Sequence, residues 1–190
     1  RFINRSTMRV RISLAMLIFL CTHYTSPMKC FPRRRPIIYS IINFVSTRQR
    51  LWTYKISQGG RLRCQYNLMR TITPQEMVYN RTYSYAGQRR SISLLGQFDA
   101  HHRNRMYVRT YDFQRILLGR ETLLYEATNT SCGVVKTESI DGAIYYELRV
   151  RNDSIARMPE RSCESHFKCF ARRGTVVYDR DCQVVLRRRK

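Results

Sequence analysis

The chain has 190 residues, a length that allows one domain, or one domain with an N-terminal extension, and excludes a larger set of domains. Hydrophobic residues make up 43% of it, which supports a real core, and the 12% of aromatic residues favours strands. The formal net charge of +22 indicates anionic partners such as phosphate, sulfated polysaccharide, acidic membrane or carboxylate ligands.

The first 26 residues predict a secretory signal. Met8, Arg9 and Arg11 form a basic start, and residues 12–21 form an apolar run behind it. This run is shorter than the ~20 residues that a membrane-spanning helix needs, so no transmembrane segment is predicted. We therefore expect a secreted, extracellular protein that starts most naturally at Met8, with cleavage near Ser26.

Residues 27–50 form a basic and apolar N-terminal extension whose structure the sequence leaves open. A cluster of three arginines at 33–35 precedes a second apolar run at 37–45. The segment fits an N-terminal arm, an amphipathic stretch on a membrane surface, or an error in the gene model.

From Leu51 onward, short alternating segments follow one another about every eight to twelve positions, which is typical of an all-β sandwich or barrel. Turn residues such as Gly59-Gly60 and Asp141-Gly142 separate them. Eight strands are predicted, at 51–56, 61–70, 77–85, 91–98, 105–111, 122–128, 133–139 and 143–151. Eight strands close into a barrel wide enough for one small ligand.

A helix follows the predicted strands, at 159–173. Pro159 suits its first turn and Gly174 its end. A short strand at 175–178 and a basic tail at 183–190 complete the chain.

Seven cysteines in a chain with a secretory signal indicate disulfides rather than metal ligands. The sequence has no Cys-x-x-Cys pair, and its four histidines are not spaced with the cysteines as zinc ligands would be, so no metal and no cofactor are predicted. Asn80, Asn129 and Asn152 each begin an N-glycosylation sequon, which agrees with secretion.

The sequence does not predict an enzyme. It has no Gly-x-Ser-x-Gly motif and no phosphate-binding glycine loop, and His101 and His102 lie in a predicted turn. Specific nucleic-acid binding is not predicted either, because the basic clusters at 33–35 and 187–190 lack interleaved aromatic residues. A sulfated polysaccharide bound through these basic termini is the alternative to a small-molecule ligand.

Five short motifs carry a resemblance to a known family. In chain order they are Leu51-Trp52-Thr53-Tyr54, Leu95-Gly96-Gln97-Phe98-Asp99, Ser131-Cys132-Gly133-Val134-Val135, Tyr145-Tyr146-Glu147-Leu148 and Val177-Tyr178-Asp179 followed by Cys182. Their order and spacing resemble the tick salivary lipocalins, the histamine-binding-protein family. The resemblance covers residues 51–182, which we take as the lipocalin domain.

The resemblance implies a fold, a covalent frame and a function. The fold is all-β, an eight-stranded antiparallel lipocalin (calycin) barrel with a C-terminal α-helix. The implied disulfides are Cys64–Cys182 and Cys132–Cys163, which leave Cys30 and Cys169 as a third bridge or as free thiols. The implied function is to sequester small host inflammatory mediators, such as histamine or another biogenic amine, and thereby suppress host defence.

The amine-binding pattern of that family is matched only in part. It reads Cys-Asp-aliphatic, then Glu-Leu-Trp/Tyr, then Cys, and Cys132, Glu147 and Cys163 fall in place. Gly133 stands at the Asp position and Arg149 at the aromatic position. Since an ammonium needs carboxylates and an aromatic face, whereas a guanidinium binds carboxylates, these residues favour an anionic lipid such as a leukotriene.

Strand alternation predicts which side chains line the barrel. A glycan on Asn80 would have to face solvent. The neighbouring residues of the opposite face, Tyr79, Arg81, Tyr83 and Tyr85, would then face into the barrel. The predicted ligand-binding residues are Tyr79, Arg81, Tyr83, Tyr145, Glu147 and Arg149. The opposite face of the last strand, Ile144, Tyr146 and Leu148, is predicted to pack beneath Phe167 and Phe170 of the helix. Alternatively, Arg149 pairs with Glu147 and the tyrosines form core.

Overall fold

The computed structural model describes residues 37–157 and 159–185. The predicted signal, the arginines at 33–35 and residues 186–190 of the basic tail lie outside them. In chain order the elements are α1 (Ile41–Val45), β1 (Leu51–Ile56), β2 (Leu62–Ile72), β3 (Glu76–Tyr85), β4 (Gln88–Phe98), β5 (Arg105–Thr110), β6 (Leu117–Glu126), β7 (Cys132–Ser139), β8 (Ile144–Arg151), α2 (Arg161–Phe170), β9 (Thr175–Val176) and α3 (Cys182–Val185).

The first eight strands form one closed antiparallel barrel. Each strand from β1 to β7 pairs with the next, and β1 also pairs with β8, where Leu51 lies opposite Arg151. β9 pairs with the end of β1. The predicted eight-stranded antiparallel barrel with a C-terminal helix is therefore confirmed.

The predicted strand bounds deviate most at β6. The pattern predicts 122–128, whereas the strand runs over Leu117–Glu126. Gly119 interrupts the apolar alternation and yet lies inside the strand. The position requires a glycine, because the carbonyl oxygen of Glu138 on β7 approaches too closely for a Cβ atom. The helix α2 is shorter than predicted, since it begins at Arg161 and ends at Phe170.

Helix α2 packs on the outer face of the barrel. Leu148 is buried in an apolar cluster with Phe167, and Tyr146 stacks on Phe170 with ring centroids 5.8 Å apart. Both contacts agree with the prediction. Ile144 was predicted beneath the helix as well, but it is 52% exposed, because it is the first residue of β8 and lies beside the loop at 140–143.

Two disulfides connect the C-terminal part of the chain to the barrel. Both predicted bridges are present, Cys64–Cys182 with a Cα–Cα distance of 5.1 Å and Cys132–Cys163 with one of 6.3 Å. The first connects β2 to α3 and the second connects β7 to α2. Cys169 is also disulfide-bonded, and Cys30 lies outside the described residues.

Helix α1 closes one end of the barrel. Three of its four apolar side chains, Ile41, Phe44 and Val45, are 4% exposed or less and belong to the interior apolar cluster, which also contains Met77 and Leu123. The amide of Ile41 donates to the carbonyl of Arg103, which ties the helix to the β4–β5 loop. The apolar run at 37–45, whose structure the sequence left open, thus contributes a plug, and the barrel domain begins before Leu51.

The opposite end of the barrel is here named the mouth. In an antiparallel barrel of consecutive strands, successive connections alternate between the two ends. The connections at 57–61, 86–87, 111–116 and 140–143 therefore all lie at the mouth.

Replacing Phe44 with alanine should destabilise the protein by about 3–5 kcal/mol, because it leaves a cavity where a fully buried ring packs. The control Asn43→Ala changes an exposed side chain of the same helix and should cost ~0.5 kcal/mol or less. Urea unfolding followed by Trp52 fluorescence measures both. Equal effects would show that α1 is not part of the core.

Candidate functional site

Two arginines and two glutamates are buried together inside the barrel. Glu121 accepts hydrogen bonds from Nη2 of Arg81 at 2.7 Å and from Nη1 of Arg149 at 2.6 Å. Arg149 also donates from Nε to Oε2 of Glu147 at 2.6 Å. Three of the four, Glu121, Glu147 and Arg149, are 1% exposed or less. We name these four residues the charged network.

Neutral polar side chains complete the hydrogen bonding of the network. Gln65 donates from Nε2 to Oε1 of Glu147 at 3.0 Å and to the hydroxyl of Thr53 at 2.9 Å. The side-chain oxygen of Asn67 accepts from Nε of Arg81 at 2.9 Å. The charges are therefore held in a fixed arrangement by neighbours on β1 and β2.

Strand alternation brings the network into one layer of the barrel. Glu121 and Arg149 lie two positions from Leu123 and Arg151, respectively, toward the mouth. Leu123 belongs to the interior apolar cluster, and Arg151 donates to the carbonyl of Phe44 in the plug. The network thus lies between the plug, with its apolar cluster, and the mouth.

Burial and charge pairing shift the pKa values of the site. Burial alone would raise the pKa of Glu121, but Arg149 and Arg81 lower it to about 2. Burial, and then the charge of Glu147, raises the pKa of Tyr145 to about 12. The network pairs two guanidinium groups with two carboxylates, so these buried groups compensate one another.

The polar groups left over in this layer can all donate a hydrogen bond, and the hydroxyls among them can also accept one. All four carboxylate oxygens of the network already accept a hydrogen bond. The hydroxyls of Tyr79 and Thr137 and Nη2 of Arg149 are buried without a hydrogen-bond partner among the described residues. Nη2 of Arg149 is ion-paired with Glu147 at 2.6 Å, but at an angle unsuited to a hydrogen bond. Such groups suit a ligand atom that accepts hydrogen bonds.

A small cavity lies beside the network on the plug side. Its volume is about 10 Å³, enough for about one water molecule. It is lined by Tyr79, Asn67 and a set of flexible methionines, Met69, Met77 and Met106. The plug and the interior apolar cluster pack this side of the barrel interior, so a larger ligand inside the barrel would have to displace methionines or lie toward the mouth.

The remaining predicted site residues lie on the mouth side. Tyr83 and Tyr145 are half-buried, two positions beyond Arg81 and Glu147, respectively. Tyr85 was predicted to face inward as well, but it is 54% exposed, because it is the last residue of β3 at the hairpin turn.

Gly133 lies at the plugged end of the barrel. A Cβ atom there would lie 2.8 Å from the ring of Phe44 and 2.8 Å from the carbonyl oxygen of Tyr125. An aspartate, which the amine-binding pattern has at this position, would therefore displace the plug. The packing of α1 accounts for the glycine.

Sequence reasoning missed Glu121, which pairs with both arginines of the network. The predicted strand began at 122, so Glu121 fell into a presumed loop. Its alternation with Leu123, which is buried inside the barrel, is the signal that could have identified it. Gln65 and Thr53 were missed because a neutral polar side chain gives no comparable signal.

The three sequon asparagines differ in accessibility. Asn129 is exposed, and its side-chain oxygen accepts from the amide of Ser131. Asn80 is half-buried and accepts from the hydroxyl of Ser93. The side-chain oxygen of Asn152 accepts from Trp52 and Gln183, each at 2.9 Å. Glycosylation stays a prediction at all three, and Asn129 offers the most accessible side chain.

No family model matches the sequence, and no curated protein is detectably similar to it. Solved structures are similar in fold. The crystal structure of AM182 in complex with serotonin matches with a TM-score of 0.60 at 16% identity, over 80% of this chain and 97% of that one. Japanin from Rhipicephalus appendiculatus, solved bound to cholesterol, matches with a TM-score of 0.54 at 10% identity, over 72% and 96%. The fold is that of a lipocalin.

Within the part of the chain that the structure describes, no helix has the length and apolar character needed to cross a membrane.

Replacing Glu121 with glutamine should destabilise the protein by about 3–5 kcal/mol, because it leaves two buried guanidinium groups short of a counter-charge. The control Glu126→Gln lies on the same strand, and one of its carboxylate oxygens is buried without a hydrogen bond among the described residues. It should cost ~1 kcal/mol or less. Chemical denaturation of both variants provides the comparison, and equal losses would contradict a pairing role for Glu121.

The lowered pKa of Glu121 also predicts a dependence of stability on pH. Because the folded state holds its pKa near 2 against an ordinary value of 4.5, the stabilisation is complete above about pH 4.5 and is lost as the pH falls toward 2. The free energy of unfolding should therefore fall more steeply over this range in the wild type than in Glu121→Gln. If the free energy of unfolding falls equally with pH in the two proteins, the pKa of Glu121 is not lowered by folding.

Proposed function

We propose that this protein is a secreted lipocalin that takes a small host mediator into its barrel and thereby suppresses host defence, with a fatty-acid-derived acid such as a leukotriene as the ligand class. Both fold neighbours were solved with a small molecule, serotonin in one and cholesterol in the other. The two disulfides agree with an extracellular protein. The predicted signal and the basic termini lie outside the described residues.

The observation that supports an acid as the ligand is that the carboxylates of the charged network are already hydrogen-bonded to the protein. Each oxygen of Glu121 and Glu147 already accepts a hydrogen bond from the protein. An ammonium would have to displace an arginine to reach them, whereas a carboxylate can meet donors that are left over. The space for the aspartate of the amine-binding pattern is also taken, because Phe44 packs against Gly133.

Arg81 is better placed than Arg149 to meet the ligand. The side chain of Arg149 has no exposed surface and is ion-paired with two carboxylates. The side chain of Arg81 is 12% exposed and is ion-paired with Glu121 alone among the described residues. A ligand that enters from the mouth would lie against Tyr83 and Tyr145 with its carboxylate at Arg81 and its apolar chain along the rings.

The replacement Arg81→Gln should weaken binding of a leukotriene-class acid by about tenfold or more, because a charge-assisted hydrogen bond is lost. Binding of the methyl ester of the same acid should change little. The double variant Arg81→Gln/Glu121→Gln removes one charge of each sign and keeps the interior neutral. It should lose acid binding to the same extent, which separates a ligand contact from general destabilisation.

Calorimetric titration of the secreted protein, with Arg120→Gln as the control on the outer face, tests this proposal. Arg120 is paired with Glu138 away from the network. If the wild type binds serotonin or histamine tightly and ignores the acid, the proposed ligand class is wrong. If it binds neither but is retained on heparin with a strong dependence on salt, a polyanion-binding protein replaces the lipocalin proposal.

A further inference from the structure

The mouth of the barrel carries a ring of exposed apolar side chains. Of the twelve large apolar residues that are exposed in the described part of the chain, seven lie there. They are Tyr85, Ile92, Tyr111, Phe113, Ile116, Ile140 and Ile144. Phe113 is fully exposed at the tip of its loop. Isolated exposed apolar residues are ordinary, but a concentration at one end indicates an interaction surface.

The β3–β4 hairpin extends this ring away from the barrel. Pairing between β4 and β5 begins at Leu94 and Thr110, so the preceding residues of β4 project beyond β5 with β3 as their partner. The six residues from Gln88 to Ser93 are all exposed. The apolar tips thus stand on separate projections around the mouth and do not form one flat face.

The charges among these tips are mainly basic. The segments 57–61, 85–90, 111–116 and 140–143 contain four arginines, Arg61, Arg89, Arg90 and Arg115, and two aspartates, Asp112 and Asp141, a net charge of 4 − 2 = +2. All four arginines are exposed. Both aspartates are engaged in their own turns, since Asp112 accepts from the amides of Gln114 and Arg115 and Asp141 accepts from that of Ala143.

We propose that this mouth surface docks onto a membrane that contains anionic lipids. Projecting tips on separate loops can enter the boundary between headgroups and acyl chains, which accepts any shape, while neighbouring arginines contact lipid phosphates. A protein partner would instead need a surface complementary to several separated projections. Docking would place the mouth at the lipid surface, so an apolar ligand could enter the barrel without crossing water. The proposal does not depend on the proposed ligand.

Sedimentation with phosphatidylcholine vesicles, with and without phosphatidylserine, tests the docking surface in the whole chain. The wild type should bind the anionic vesicles, and the double variant Phe113→Ser/Ile140→Ser should bind them about tenfold more weakly. The matched control is Ile37→Ser/Ile38→Ser at the plugged end, where Ile38 is 64% exposed against 68% for Ile140. This control should bind as the wild type does.

A second pair of variants tests the charges. Arg89→Gln/Arg90→Gln should weaken binding at low salt more than Arg70→Gln/Arg103→Gln, which removes two exposed arginines from the other end. Equal losses would contradict the proposal.

A fluorescent reporter distinguishes docking at the mouth from attraction through the basic termini. The variant Phe113→Trp places an indole at the exposed tip, while Trp52, the only natural tryptophan, is fully buried and gives a constant background. Emission of this variant should shift to shorter wavelength on binding anionic vesicles. Absence of vesicle binding overturns the proposal, as does binding that persists in Phe113→Ser/Ile140→Ser without an emission shift in Phe113→Trp.

Discussion

The mutual neutralisation of four charges in the barrel interior is the constraint on which the rest of the arrangement depends. Arg81, Glu121, Glu147 and Arg149 come from three different strands, and each is stable in that environment only while its partners face it. A slip of one residue in any of these strands would turn a charge to the outer face and leave its partner unpaired. The network therefore makes the register of β3, β6 and β8 interdependent, and the same pairing determines which polar groups remain for a ligand.

The plug and the network divide the interior between them. Phe44 and the apolar cluster fill the end of the barrel where the amine-binding pattern would place an aspartate at position 133. The charged network, which lies next toward the mouth, contains two carboxylates, but arginines are already paired with them. Each departure of this sequence from the amine-binding pattern therefore has a structural reason. Gly133 leaves room for the plug, and Arg149 neutralises Glu147, the glutamate that the sequence shares with the pattern.

Much of this could be predicted from the sequence, for identifiable reasons. Alternation correctly placed Glu147 and Arg149 inside and Leu148 beneath α2, since a strand has a strict period of two. The resemblance supplied the two disulfides, which spacing alone cannot assign. Glu121 was lost through an error of a few residues in one strand boundary. The plug was not predicted because a helix of five residues carries no periodic signal, and tertiary packing decides that it forms.

The closure of the barrel has a consequence for synthesis of the chain. Leu51 pairs with Arg151, a hundred residues later, and β1 makes only limited pairing with β2 in the meantime. At a translation rate of ~5–20 residues per second, β1 waits roughly 5–20 s for its main partner to leave the ribosome. During that interval the edge of β1 that later pairs with β8 stays open, and open edges recruit other strands. A fold whose strands pair mainly with their sequence neighbours would leave no edge open for so long.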